Sequence, residues 1–222
     1  MHDCTHPAGK SARAHRIRPT VPIYDPTVAL LIVDVQNDFA DPQGSLYVAE
    51  GERVVPFANV EIGRARAAGS PVFYTQDWHP ESTPHFQKDG GAWPAHCVKE
   101  TWGAELHPDL DIEGPVVRKG SNGEDGYSGF TMRDPVSGET VPTELGDLLA
   151  GAGVTQLVLA GLATDYCVKS TVLDARERGF PITGLENGIR AVDLQPGDGE
   201  RAVEEMLAAG ALLESRSAVT PA

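Results

Sequence analysis

Val28–Asp34 reads VALLIVD, six consecutive apolar residues closed by a carboxylate. The run is strand length and does not alternate with polar residues. A strand of that kind is buried on both faces, as in a parallel sheet covered by helices. Downstream, Glu52–Ala68 carries apolar residues at helical spacing and stops at Gly69. Pro71–Gln76 (PVFYTQ) and Pro115–Arg118 (PVVR) are rich in β-formers, and Thr143–Ala150 reads as a helix closed by Gly151 and Gly153. Gln156–Ala160 (QLVLA) is a second buried strand, followed by a helix over Asp165–Arg178 that ends at Gly179. Pro181–Leu185, a helix over Gly199–Ala209 capped by Asp198, and Ala211–Glu214 complete the series. This alternation predicts a three-layer α/β/α fold with a mostly parallel, six-stranded sheet.

The chain has 222 residues, enough for one well-buried domain and short for two. Residues 1–26 are polar and basic without an apolar core, so they read as a flexible extension rather than a secretory signal. A single domain is expected over 27–217, with a tail at 218–222. The formal charge of −14 repels phosphate backbones and argues against nucleic acid as a partner. No apolar run approaches the roughly 20 residues of a membrane helix. Three cysteines, Cys4, Cys97 and Cys167, form no disulfide framework and fit a reducing, cytoplasmic setting. A homo-oligomer is left open.

Ligands of open parallel sheets bind beyond the carboxyl ends of the strands. Asp34 closes the first strand, Asp77 and His79 follow the second, Lys119 follows the third, and Cys167 lies just after the fourth, in the first turn of a helix. Singly, each has a plainer reading: a buried cysteine as a small hydrophobe, an aspartate as a turn residue, a lysine as a solvated loop charge. Four strands delivering reactive groups to one edge make those readings weaker. Cys167 is the candidate nucleophile, its thiolate expected to be favoured by the helix terminus and by Lys119. Asp34 is the candidate proton acceptor and donor.

A second constellation is Asp77-x-His79-x5-His85-x10-His96, in a long stretch, 77–113, that exceeds an ordinary connection. Three imidazoles and a carboxylate suit one divalent metal, with Zn²⁺ favoured over Mn²⁺ or Fe²⁺. Scattered loop histidines are the alternative; four of the seven histidines fall in 79–107, and the Asp-x-His pair at a strand end favours a site. His107 reads as a loop residue and Cys97 as a buried structural thiol.

The segments LLIVDVQNDF (30–39), DWHPESTPHF (77–86), WPAHCV (93–98), RKG (118–120), YSGF (127–130) and GLATDYCV (161–168) resemble those of the isochorismatase-like hydrolases. The histidine loop followed by WPAHCV is similar to the nicotinamidase group within them. The resemblance spans residues 28 to about 215. It implies an isochorismatase-like fold and a catalytic triad of Asp34, Lys119 and Cys167. It also implies metal ligation by Asp77, His79, His85 and His96. It places a cis peptide at Leu162–Ala163, with the amides of Ala163 and Cys167 facing a developing oxyanion. Phe39, Trp93 and Tyr127 match positions around a pyridine ring. The implied activity is hydrolysis of nicotinamide to nicotinate and ammonia through a thioester. The alternatives are an N-carbamoyl or ureido amidase of the same superfamily, and a non-catalytic nicotinamide- or metal-binding module. A thiol redox protein ranks last, for want of a C-x-x-C pair. The segment 120–126, GSNGEDG, stands apart from the family pattern and reads as a stretch that tunes substrate access.

Overall fold

The computed structural model describes residues 23–216. The expected extension therefore lies outside the described residues except for its last four, and so does the expected tail. Within those four, Tyr24 is buried and its hydroxyl donates to Glu61 Oε2 at 2.8 Å.

The elements in order are β1 (Val28–Val33), the single turn α1 (Asn37–Ala40), α2 (Val54–Ala67), β2 (Val72–Asp77), β3 (Val116–Lys119), β4 (Thr131–Arg133), β5 (Thr140–Pro142), α3 (Leu145–Gly151), β6 (Gln156–Leu162), α4 (Lys169–Glu177), β7 (Ile182–Arg190), α5 (Asp198–Ala208) and β8 (Leu212–Glu214). Six strands form one sheet in the order β3-β2-β1-β6-β7-β8, and every neighbouring pair is parallel. The expected α/β/α architecture is the one observed. Strands β4 and β5 form a separate antiparallel hairpin that the sequence pattern did not reveal.

Successive side chains of a strand point to opposite faces, and β1 shows what each face meets. Leu30 and Ile32 enter a core with Val54, Phe57, Ala58, Ile62 and Ala65 of α2. Ala29, Leu31 and Val33 enter a second core with Leu145 and Leu149 of α3, Val172 and Ala175 of α4, and Met206 of α5. All six β1 residues are buried, which is why the run is apolar without alternation.

Connections run from β1 outward through β2 to β3, then return to β6 on the other side of β1. The carboxyl ends of β1 and β6 thus flank the point where strand order reverses, the preferred ligand position in such sheets. Close approach there requires glycine: a β-carbon on Gly161, whose φ is +133°, would lie 2.1 Å from the Val33 carbonyl oxygen. Among the described residues, no helix is long and apolar enough to cross a membrane.

Candidate active site

Asp34 leaves β1 with φ +48°, an uncommon left-handed conformation for a residue with a side chain. Its carboxylate is fully buried. The Thr75 hydroxyl, two residues before the end of β2, donates to Asp34 Oδ1 at 2.6 Å. Asp77 and Lys119 are register partners at the ends of β2 and β3, rather than residues following those strands. That register explains their contact: Lys119 Nζ donates to Asp77 Oδ1 at 2.6 Å. The same ammonium lies 2.9 Å from Asp34 Oδ2 and 3.7 Å from Cys167 Sγ. Asp34, Asp77 and Cys167 each bring an atom within 4.8 Å of the others. The expected triad is assembled in space, with Asp77 as a fourth member.

One buried cation thus serves two carboxylates. Burial alone would lower the Lys119 ammonium, but Asp34 and Asp77 outweigh it and hold the group well above its ordinary value. Burial would raise the Asp77 carboxyl; Lys119, His79 and His96 override it and bring it to about 2. Burial raises Asp34, and Lys119 only partly offsets it. Burial also pushes the Cys167 thiol well up; Lys119 opposes this, while Asp34 and Asp77 add to it. Burial and the two carboxylates thus work against the thiolate that the helix terminus and Lys119 were expected to favour. The lysine's charge is already answered by two carboxylates, so little remains to favour a third anion. Nor does Cys167 begin a regular helix: it sits in a π-helical turn, Thr164–Val168, ahead of α4. The carboxylate of Asp165 in that turn accepts the amides of Val192 and Asp193, both at 2.9 Å, tying it to the segment after β7.

The peptide between Leu162 and Ala163 is cis, as the resemblance implied. Ala163 and Cys167 line a pocket of about 430 Å³, its open mouth included. Phe39, Trp93 and Tyr127 line the same pocket, and Trp93 Nε1 donates to the Tyr127 hydroxyl at 2.9 Å. The pattern missed Tyr166, whose ring meets Trp93 edge-on at 4.8 Å and Tyr127 at 5.2 Å. Its position beside Cys167 was the available signal. Gln36 was missed as well: its buried amide donates to the Asp77 and Ala104 carbonyls and accepts the Asp77 N–H, pinning the end of β2.

His79, His85 and His96 meet on the wall of this pocket. They offer ring nitrogens that all lie within 4.8 Å of one another. Asp77 is not part of that trio; its Oδ1 is engaged by Lys119, and its Oδ2 lies 3.9 Å from His79 Nε2. His96 Nδ1 is 2.8 Å from the Pro94 carbonyl, and His85 Nδ1 is 2.7 Å from Asp125 Oδ1. Both partners are acceptors, so each ring carries a proton on Nδ1. His79 is buried with neither ring nitrogen hydrogen-bonded. Burial holds it down to about 4, with Asp77 opposing, so its imidazole is neutral near pH 7. Buried polar atoms are rarely left without a partner. Three imidazoles converging beside a carboxylate fit a divalent cation of the Zn²⁺, Mn²⁺ or Fe²⁺ type.

The Isochorismatase domain matches residues 28–216. The chain belongs to the isochorismatase family. It is 40% identical over 206 residues to the nicotinamidase of Escherichia coli, covering 85% of this chain and 94% of that one. The pyrazinamidase of Pyrococcus horikoshii, solved in complex with zinc, superposes with a TM-score of 0.76 at 37% identity, over 86% of this chain and 99% of the other. A protein from L. infantum solved with nicotinate gives a TM-score of 0.77 at 36% identity, over 86% and 94%.

Proposed function

We propose that this family member is a nicotinamidase, hydrolysing nicotinamide to nicotinate and ammonia with Cys167 as nucleophile. The observation that carries the reading is the arrangement of Cys167, Lys119 and Asp34 at the base of an aromatic pocket whose wall carries three histidines. Relatives named nicotinamidase and pyrazinamidase, matched over most of both chains, support it. An N-carbamoyl or ureido amidase would have the triad without a use for the histidine trio.

His79, His85, His96 and the second oxygen of Asp77 would hold the metal. When bound, it supplies a Lewis-acid anchor for the pyridine nitrogen and so orients the ring. Phe39, Trp93, Tyr127 and Tyr166 enclose that ring and exclude water. Proton transfer accompanies attack. Asp34 takes the Cys167 proton as Sγ bonds to the carboxamide carbon. Lys119 holds the Asp34 carboxylate in place and balances charge through the step. The amides of Ala163 and Cys167 receive the developing oxyanion. Asp34 returns the proton to nitrogen, the C–N bond breaks, and ammonia leaves a thioester on Cys167. Water then loses a proton to Asp34 as its oxygen bonds to the acyl carbon. The C–S bond breaks, nicotinate departs, and the thiol regains its proton. The free thiols of Cys97 and Cys167 support a cytoplasmic setting.

Acid quench of a turnover mixture followed by peptide mass analysis tests the scheme. One nicotinoyl group on the peptide bearing Cys167 is expected; an adduct on Cys97 instead, or none under turnover, contradicts it. His79→Ala should raise KM more than it lowers kcat, since ring anchoring precedes attack.

A further inference from the structure

Asp125 lies in the segment 120–126 and touches the histidine cluster. Its Oδ1 lies 2.7 Å from His85 Nδ1 and also accepts the Gly126 amide at 2.8 Å. The two other histidines are supported differently. His96 leans on a neutral carbonyl, and neither nitrogen of His79 is hydrogen-bonded. His85 alone among the three is backed by a carboxylate.

The carboxylate is itself held. Asp125 is bridged to Arg133 of β4 by two backbone hydrogen bonds, with Asp125 N to Arg133 O at 2.7 Å and Arg133 N to Asp125 O at 2.5 Å. Thr83 Oγ1, two residues before His85, reaches the Gly123 carbonyl at 3.4 Å. At the other end of the segment, a β-carbon on Gly120 would lie 2.6 Å from His79 Nδ1, so the loop packs directly on the cluster. The β4–β5 hairpin thereby anchors the loop that carries Asp125.

We propose that Asp125 is a positioning residue that fixes the His85 ring with its proton on Nδ1 and strengthens Nε2 as a donor to a divalent cation held with His79 and His96. The inference rests on the metal reading above. A carboxylate behind an imidazole ligand orients the ring and raises its basicity, and losing such a partner typically weakens metal affinity about 10–100-fold. A chance surface pairing is the competing account, because the Asp125 side chain is 44% exposed and such pairs contribute little to stability. The two accounts differ in metal affinity.

The test uses the full chain stripped of metal and titrated with Zn²⁺ against a chromogenic chelator, with Co²⁺ absorption as a second readout. Asp125→Ala should weaken Zn²⁺ binding about 10–100-fold. Asp125→Asn keeps an oxygen acceptor for Nδ1–H and should recover part of that loss. Both metal-free variants should melt with the parent. His85→Ala is run beside them as the ligand control. Unchanged affinity in Asp125→Ala, with weakened binding in His85→Ala, overturns the inference and leaves the metal reading standing. An affinity loss that follows a lowered metal-free melting temperature, without recovery in Asp125→Asn, makes Asp125 a loop brace and also overturns it. Failure of the parent to bind Zn²⁺ or Co²⁺ removes the metal reading and the inference with it.

Discussion

Lys119 carries the charge balance of the site, because two buried carboxylates depend on it. Replacing it with methionine keeps the stem and removes the charge. In the metal-free protein, Asp34 and Asp77 would then face each other, buried and without a cation. Removing one partner of a buried ion pair typically costs about 3–5 kcal/mol. Lys119→Met is therefore expected to lose about that much in urea denaturation at pH 7; a loss within about 1 kcal/mol, near that of a neutral surface change, would show the carboxylates to be balanced elsewhere. Thr75→Val removes the hydroxyl that donates to Asp34 Oδ1 and leaves a similar shape. Its expected effect is on kcat rather than KM, because Asp34 moves protons and does not grip the ring. A pure KM effect in steady-state kinetics would contradict the role given to Asp34.

At the scale of elements, the strands were legible because continuous apolar runs are what two-sided burial demands. Their ends were less so. Asp77 and Lys119 belong to β2 and β3, but a charged residue does not continue an apolar pattern; only the pairing across strands shows it. Likewise β7 runs to Arg190, beyond the expected Leu185, through exposed Glu186 and Asn187 and a break in register with β6. The β4–β5 hairpin escaped notice because its strands are three residues each and not buried. That Asp34, Lys119 and Cys167 meet was legible from their places at the strand ends, and that the histidines meet was legible from their loop spacing. The His85–Asp125 contact spans 40 residues of chain, and no local pattern encodes it. The charge environment of Cys167 was not legible for a related reason: the sequence shows a lysine able to reach the thiol, not the two carboxylates that engage that lysine. Gly161 offers the test at this scale. Gly161→Ala forces β1 and β6 apart where Asp34 and Ala163 leave them. The variant is expected to lose most of its activity and to melt lower. An active variant with parental melting temperature would show that the close approach is not needed.

The whole molecule places two cores on either side of a parallel sheet and gathers its reactive groups at one edge. The histidine trio sits in loops beyond those cores, so the metal-free protein is expected to stay folded. A ligand that binds only the native state stabilises it by about 2.7 kcal/mol at a hundredfold excess over Kd. For a chain of this size that corresponds to a rise of roughly 5–10 °C. Differential scanning fluorimetry of chelator-treated protein with and without Zn²⁺ should show a shift of that order, and its absence would count against a native metal site. The central claim, cysteine-dependent hydrolysis of nicotinamide, is tested most directly by ammonia release from nicotinamide by the purified, metal-loaded chain beside Cys167→Ala. The account predicts steady release by the parent and none above background by the variant. No release from the folded, metal-loaded parent, or release that survives the loss of the thiol, would contradict it.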